Sequence, residues 1–170
     1  MSTTLINVGI VLALVLIEAV FVASEIALVT LREGQVRAMA ERGRRGAAVA
    51  RLVSDPNRFL ATAQIGVTST ALLSSAYGAV TLSEEAKRFL VDHSFNERWA
   101  AVIGVVGVTF AISIVTLVIG ELAPKRLGLQ RAERTALGMA PTLDRIASTR
   151  AAAHLVPVPG HRCHRAVARR

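Results

Sequence analysis

Three carboxylates lie inside or at the edge of long apolar runs. Glu18 and Glu25 interrupt the first run, and Glu121 closes the last, within "VIGELAPKR". A charged side chain near the centre of a bilayer costs roughly 2.5–3.5 kcal/mol on insertion scales, so each one calls for a reason. Hydroxyls accompany them: Ser24 in the first run, Thr68, Ser69, Thr70, Ser74 and Ser75 beside Gln64 in the second, and Thr109, Ser113 and Thr116 in the third. Carboxylates, hydroxyls and backbone carbonyls are hard oxygen donors, a set that suits Mg2+ or Ca2+ rather than zinc or copper. No His or Cys stands in any of the runs, so a soft-metal site is not expected. The runs also lack a His–Glu metal motif and any Ser–Lys or Ser–His pairing, so the chain is not expected to be an enzyme.

Plainer accounts compete with the ligand reading. Ser and Thr in membrane helices commonly bond back to their own backbone or join helices together. Glu121 could pair at the interface with Lys125 or Arg126, and Glu25 could be an interfacial acid near Arg32. Glu18 and Glu25 are seven residues apart and share a helix face, from which Ser24 points away. Glu18 falls near the middle of a partly hydrated groove and receives no role.

The elements that must position these groups are membrane helices. The chain of 170 residues is 52% hydrophobic yet 4% aromatic, and its Val, Leu, Ile and Ala come in blocks. A bilayer core of about 30 Å needs about 20 helical residues. Spans are expected at about 5–31, 59–82 and 100–122, within a domain covering residues 1–146. The first is read as a retained helix rather than a signal peptide, because no Lys or Arg precedes it and its apolar stretch is too long. Seven arginines lie between the first two spans, acidic residues prevail between the second and third, and Lys125, Arg126, Arg131 and Arg134 follow the third. Cations accumulate on the cytoplasmic side of short loops. The expected topology is a multi-pass cell-membrane protein with its N-terminus outside and its C-terminal tail cytoplasmic. The net charge of +8 then reflects a lipid bilayer partner and not nucleic acid.

The Arg-rich loop carries Val36, Met39, Ala47, Val49 and Leu52 among its cations, with "RGRRG" as a turn. This reads as a cytoplasmic juxtamembrane helical hairpin near the membrane surface. Asp55 or Ser54 can cap the second span, and Pro56 suits its first turn. Internal repeats are absent, and three spans are few to enclose a pathway, so a homodimer is expected. Gly104 and Gly107 of "GVVG", with Gly66 and Ala79, offer small residues for close helix contacts.

Taken together and in order, "FVASEIALVTL", "DPNRFLATAQIGVTSTALLSSAYGA" and "LVIGELAPKRLGLQRAE" resemble the transmembrane domain of the CorC/CNNM (cyclin M) family, from about Leu5 to about Ile146. The resemblance implies an all-α integral membrane domain that forms dimers. Each chain has three transmembrane helices, the juxtamembrane hairpin and a C-terminal interfacial helix. It implies Mg2+ transport, usually efflux coupled to Na+ entry, with no organic cofactor. Carried over by motif, the ion ligands are Ser24 of "ASE", Ser69 of "GVTST" and Glu121 of "GELAPK". The second span has Thr68–Thr70 and no Asn, a residue the family pattern can place there. Thr68, Ser74 and Ser75 are looser candidates. Pro124 is expected to kink the helix after Glu121 and free carbonyls near it. The alternative reading is a membrane anchor or interaction module without transport.

The stretch 147–170 looks aberrant. It holds three of the four histidines, Cys163, which is the chain's only cysteine, and two of the five prolines, without helical or strand period. A zinc site at His154, His161, Cys163 and His164 matches no standard spacing. A shifted reading frame accounts for it better. With permitted codons, a one-base shift of Ala153–Arg169 encodes "PTWFLSRATDVIVRLL", an amphipathic segment of the kind the family carries there. The expectation is a frame change near Ala147–Ala153 that truncates the chain before cytosolic CBS domains.

Overall fold

The computed structural model describes residues 2–153, and among these every regular element is helical. Helix α1, Ser2–Thr30, is apolar almost throughout. Two short helices follow, α2 at Glu33–Ala40 and α3 at Arg44–Ser54. Helix α4 runs from Pro56 to Asp92, and α5 from Glu97 to Val115. A π-helical segment, Thr116–Leu122, leads without a break into α6, Ala123–Gln130. Helix α7, Ala132–Ala153, completes the described chain. Of the stretch 147–170 expected to be aberrant, residues 147–153 continue α7, and residues 154–170 lie outside the described residues.

Among the described residues three helices are long and apolar enough to cross a membrane: Thr3–Thr30, Pro56–Asp92 and Glu97–Gln130. The second has 37 residues, roughly 55 Å at 1.5 Å per residue, so it outruns both the bilayer core and the expected 59–82. The third also continues past 122. Pro124 does not end it, because the helix changes its hydrogen-bond register before the proline.

Local chemistry sets the boundaries. The Asp55 side chain accepts from the Arg58 backbone N–H at 3.2 Å, and Pro56 occupies the first turn of α4. Asn96 caps α5 by accepting from Arg98 N–H at 3.0 Å. Between α2 and α3, Gly43 takes φ +119°, a left-handed region that favours glycine. Gly46 then lets α3 cross α2 closely, since a Cβ there would stand 1.7 Å from the Met39 carbonyl oxygen.

Helix α1 packs chiefly on α4, α4 on α5, and α6 and α7 on α1. The main apolar core sits at the hairpin end, where Ala27, Leu28, Met39, Val49, Leu52, Phe59, Ala136, Ala140 and Leu143 converge from five helices. The hairpin's apolar residues are thus docked onto α1, α4 and α7. Two polar ties add to this: Gln35 donates to Glu133 at 2.9 Å, and Arg51 pairs with Asp144 at 2.6 Å. That pairing holds the Arg51 guanidinium above its ordinary pKa through its hydrogen bond and charge contact with Asp144. Along the spans, Leu72, Val80, Val106 and Phe110 face outward, as suits contact with lipid.

Candidate functional site

The packed face of α1 is the stripe Val11, Val15, Glu18 and Val22, all buried. Their 4-3-4 spacing keeps them on one side of a helix. Opposite stands the α4 stripe Gly66, Thr70, Ser74 and Gly78. The two helices run antiparallel in a register marked by three contacts. Tyr77 Oη donates to Asn7 Oδ1 at 2.9 Å, Gly78 meets Val11, and Gly66 meets Phe21. Continuing this register puts Ser69 and Thr70 level with Glu18. The third span runs parallel to α1: Gly120 lies against Glu18 and Val15, and Gly128 against Ala23 and Ile26. Glu121 is therefore also level with Glu18.

Glu18 is 3% exposed, and its Oε2 has no hydrogen-bond partner. The other buried side-chain polar atom without a partner among the described residues is Ser74 Oγ, also fully buried. Gly120 explains how the third span comes so near. A Cβ at 120 would stand 3.3 Å from Cδ and Oε2 of Glu18 and 3.4 Å from Cγ1 of Val15.

The backbone of the third span is irregular at this same level. The Ala123 N–H bonds to the Val118 carbonyl, five residues back. Pro124 has no N–H to offer, so it serves neither the Gly120 carbonyl in α register nor the Ile119 carbonyl in π register. Immediately ahead of Pro124, where a kink is expected, the helix carries a π segment. Segments of this kind inside α-helices cluster at functional sites.

The sequence candidates fall into different settings. The Glu121 side chain is 42% exposed and pairs with Lys125 Nζ at 2.5 Å. Ser24 is fully buried, and its Oγ donates to the Val20 carbonyl at 2.6 Å. It lies nearer the hairpin than Glu121 by roughly 8 Å along the helix axis, at 1.5 Å per residue. Ser69 and Thr68 are exposed on the surface of the single chain, and Ser75 is half-buried. Thr70, beside them, is buried and donates to the Gly66 carbonyl at 2.8 Å. The structure thus brings Glu18, Ser69, Thr70 and Glu121 to one level and sets Ser24 apart. Among the described residues no three His, Cys, Asp or Glu side chains gather in one place.

Glu18 is the residue that sequence reasoning left without a role. The signal was present, because position 18 continues the spacing of Val11, Val15 and Val22 and so belongs to the packed face.

Three long apolar helices, a docked helical hairpin and an acid-bearing π segment in the third span define a helical integral membrane domain. A family profile described as "Cyclin M transmembrane N-terminal domain" matches residues 9–149, and the chain belongs to that family. Among curated proteins it is similar to UPF0053 protein sll0260 of Synechocystis sp., 36% identical over 135 residues, covering 79% of this chain and 30% of the relative. It is likewise similar to UPF0053 protein YugS of Bacillus subtilis, 34% identical over 136 residues, covering 75% of this chain and 30% of that protein. UPF0053 protein YrkA of the same organism is 32% identical over 139 residues, with 79% and 31% covered. The chain spans about 30% of the length of these relatives.

Proposed function

We propose that this chain is a membrane transport domain for a hard divalent cation, Mg2+, moved out of the cell in exchange for Na+. The observation that carries the reading is Glu121. It is an acid within a membrane span, mounted on a π-helical segment and level with a buried carboxylate and the hydroxyls of α4. Glu121 offsets part of the ion's charge. Ser69, with Thr68, Ser74 and Ser75 as further donors, supplies hydroxyls from α4, and Ser24 supplies one from α1. Ser24 then has to give up its bond to Val20. The carbonyl that loses its donor at Pro124 provides a neutral oxygen, as irregular backbone facing a cavity does in membrane proteins.

In this reading the hairpin is cytoplasmic and the N-terminus outside, which the arginines of 32–58 support. Two copies associate, because the exposed Ser69 face needs a second wall to exclude lipid. Gly107, where a Cβ would meet no other described part of the chain within 4 Å, offers a close-contact position, whereas Gly104 is used against Ser83 and Lys87 of α4.

Mg2+ flux from vesicles reconstituted with the purified chain tests the reading. Loss of flux in Glu121→Gln, with dimers still formed, supports it. Wild-type flux in that variant removes Glu121 from the mechanism. A membrane anchor without transport is the second reading, favoured by the ion pair that already occupies Glu121. It predicts no Mg2+-dependent thermal stabilisation of the wild-type chain.

A further inference from the structure

The charge balance at the level of Gly120 is incomplete with Glu121 alone. Its carboxylate is already paired with Lys125 at 2.5 Å. A divalent ion arriving there meets one negative and one positive side chain, and the low-dielectric surroundings penalise the excess charge. Glu18 presents the opposite imbalance. It is a buried acid with an oxygen that nothing satisfies, in a membrane span. Buried charges in proteins are paired or coordinate metals.

The two imbalances lie at one level of the spans. Gly120 lets the backbone beside Glu121 approach the Glu18 carboxyl, which a Cβ at 120 would meet at 3.3 Å. The N–H that Pro124 lacks would have served the Gly120 carbonyl in α register or the Ile119 carbonyl in π register, beside that same approach. From α4, Ser74 brings the second buried atom without a partner, about one helical turn further from the hairpin in the register set by Gly78 and Val11.

We infer that Glu18 is a second carboxylate ligand of the transported cation, so that Glu18 and Glu121 together neutralise a divalent ion while Lys125 is displaced. Ser74 Oγ is the hydroxyl that joins them from α4. This rests on the proposed transport of a hard cation. It adds an acid from α1 that lies six residues before Ser24 and on the packed face of the helix.

The test is Mg2+ titration calorimetry on the full chain in lipid nanodiscs, with Glu18→Gln, Glu18→Asp and Glu121→Gln alongside. Glu18→Gln is expected to weaken Mg2+ binding ten-fold or more, and Glu18→Asp to recover part of it. A structural role alone does not move the second readout, the infrared carboxylate stretch. It shifts on adding Mg2+ to the wild type, and the part of the shift belonging to Glu18 disappears in Glu18→Gln. Thermal unfolding without Mg2+ checks the fold, and removing an unpaired acid is expected to leave the midpoint unchanged or raised. Wild-type affinity in Glu18→Gln, with binding lost in Glu121→Gln, overturns the role of Glu18 and leaves the transport reading standing. Weak binding in Glu18→Gln with normal binding in Glu121→Gln removes Glu121 from the site and overturns the pairing of the two carboxylates. A wild-type chain that binds no Mg2+ overturns both.

Discussion

Gly120 and Glu18 face each other across the first and third spans: a methyl group at position 120 would stand 3.3 Å from the Glu18 carboxyl carbon and Oε2. This is tighter than ordinary van der Waals contact, and both helices are held elsewhere along their length. Gly120→Ala is expected to push the spans apart and destabilise the domain by about 1–3 kcal/mol, the usual range for overpacking. Reversible unfolding in mixed detergent measures it. Neutral stability in Gly120→Ala shows that Glu18 swings aside freely and that the contact does not hold the spans.

Glu121→Gln removes one partner of an ion pair whose two side chains are 42% and 44% exposed. Pairs of that exposure contribute at most about 1 kcal/mol. The fold is therefore expected to survive with a stability change within that margin, while Mg2+ flux is lost. Unfolding and flux measured on one preparation separate the two effects. A large loss of stability means that the pair is structural.

Much of the fold was legible because a membrane imposes simple rules. Uncharged blocks such as Ala100–Ile119 allow little besides a helix, and "RGRRG" marks a turn whose Gly43 does adopt a left-handed backbone. Helix ends were harder to read. Periodicity and charge placed the second span at 59–82, but a helix does not stop where the hydrocarbon stops, and α4 continues through Glu84, Glu85 and Lys87 to Asp92. The site was legible in its types of residue and not in its partners. Whether Ser24 bonds to Val20, or Glu121 to Lys125, depends on rotamers that spacing does not reveal. The importance of Glu18 depends on Gly120, a hundred residues away, which no local pattern connects to it.

Gly46 offers a sharper test of the hairpin. A Cβ there would overlap the Met39 carbonyl oxygen at 1.7 Å, and that partner is backbone, which cannot rotate away. Gly46→Ala must therefore separate α2 from α3. That separation disturbs the core at Met39 and Val49, both essentially fully buried. A loss of about 2–5 kcal/mol is expected, comparable to emptying a core position. Limited proteolysis between Arg32 and Arg58, resisted by the wild type and rapid in the variant, reports it. Equal resistance shows that α3 rotates around the added methyl without losing its seat.

Pro124→Ala tests whether the proline maintains the π register. The substitution restores an N–H that can bond the Gly120 carbonyl in α register. Segment 116–122 is then expected to tighten toward a regular α-helix. Removing the extra residue of the π segment rotates everything before it by about 100° relative to α6. Glu121 and Gly120 can no longer both keep their present contacts, so Mg2+ flux should fall although no candidate ligand side chain has been changed. Isolated helix stability should rise, because proline costs about 3 kcal/mol in a helix interior relative to alanine. Hydrogen exchange of the amides from Gly120 to Gly128 measures the register directly: slower exchange in the variant, together with lost flux, is the expected pair of results. Slower exchange with wild-type flux separates the π segment from transport, and unchanged exchange shows that packing against Glu18 and Val15 holds the register without the proline.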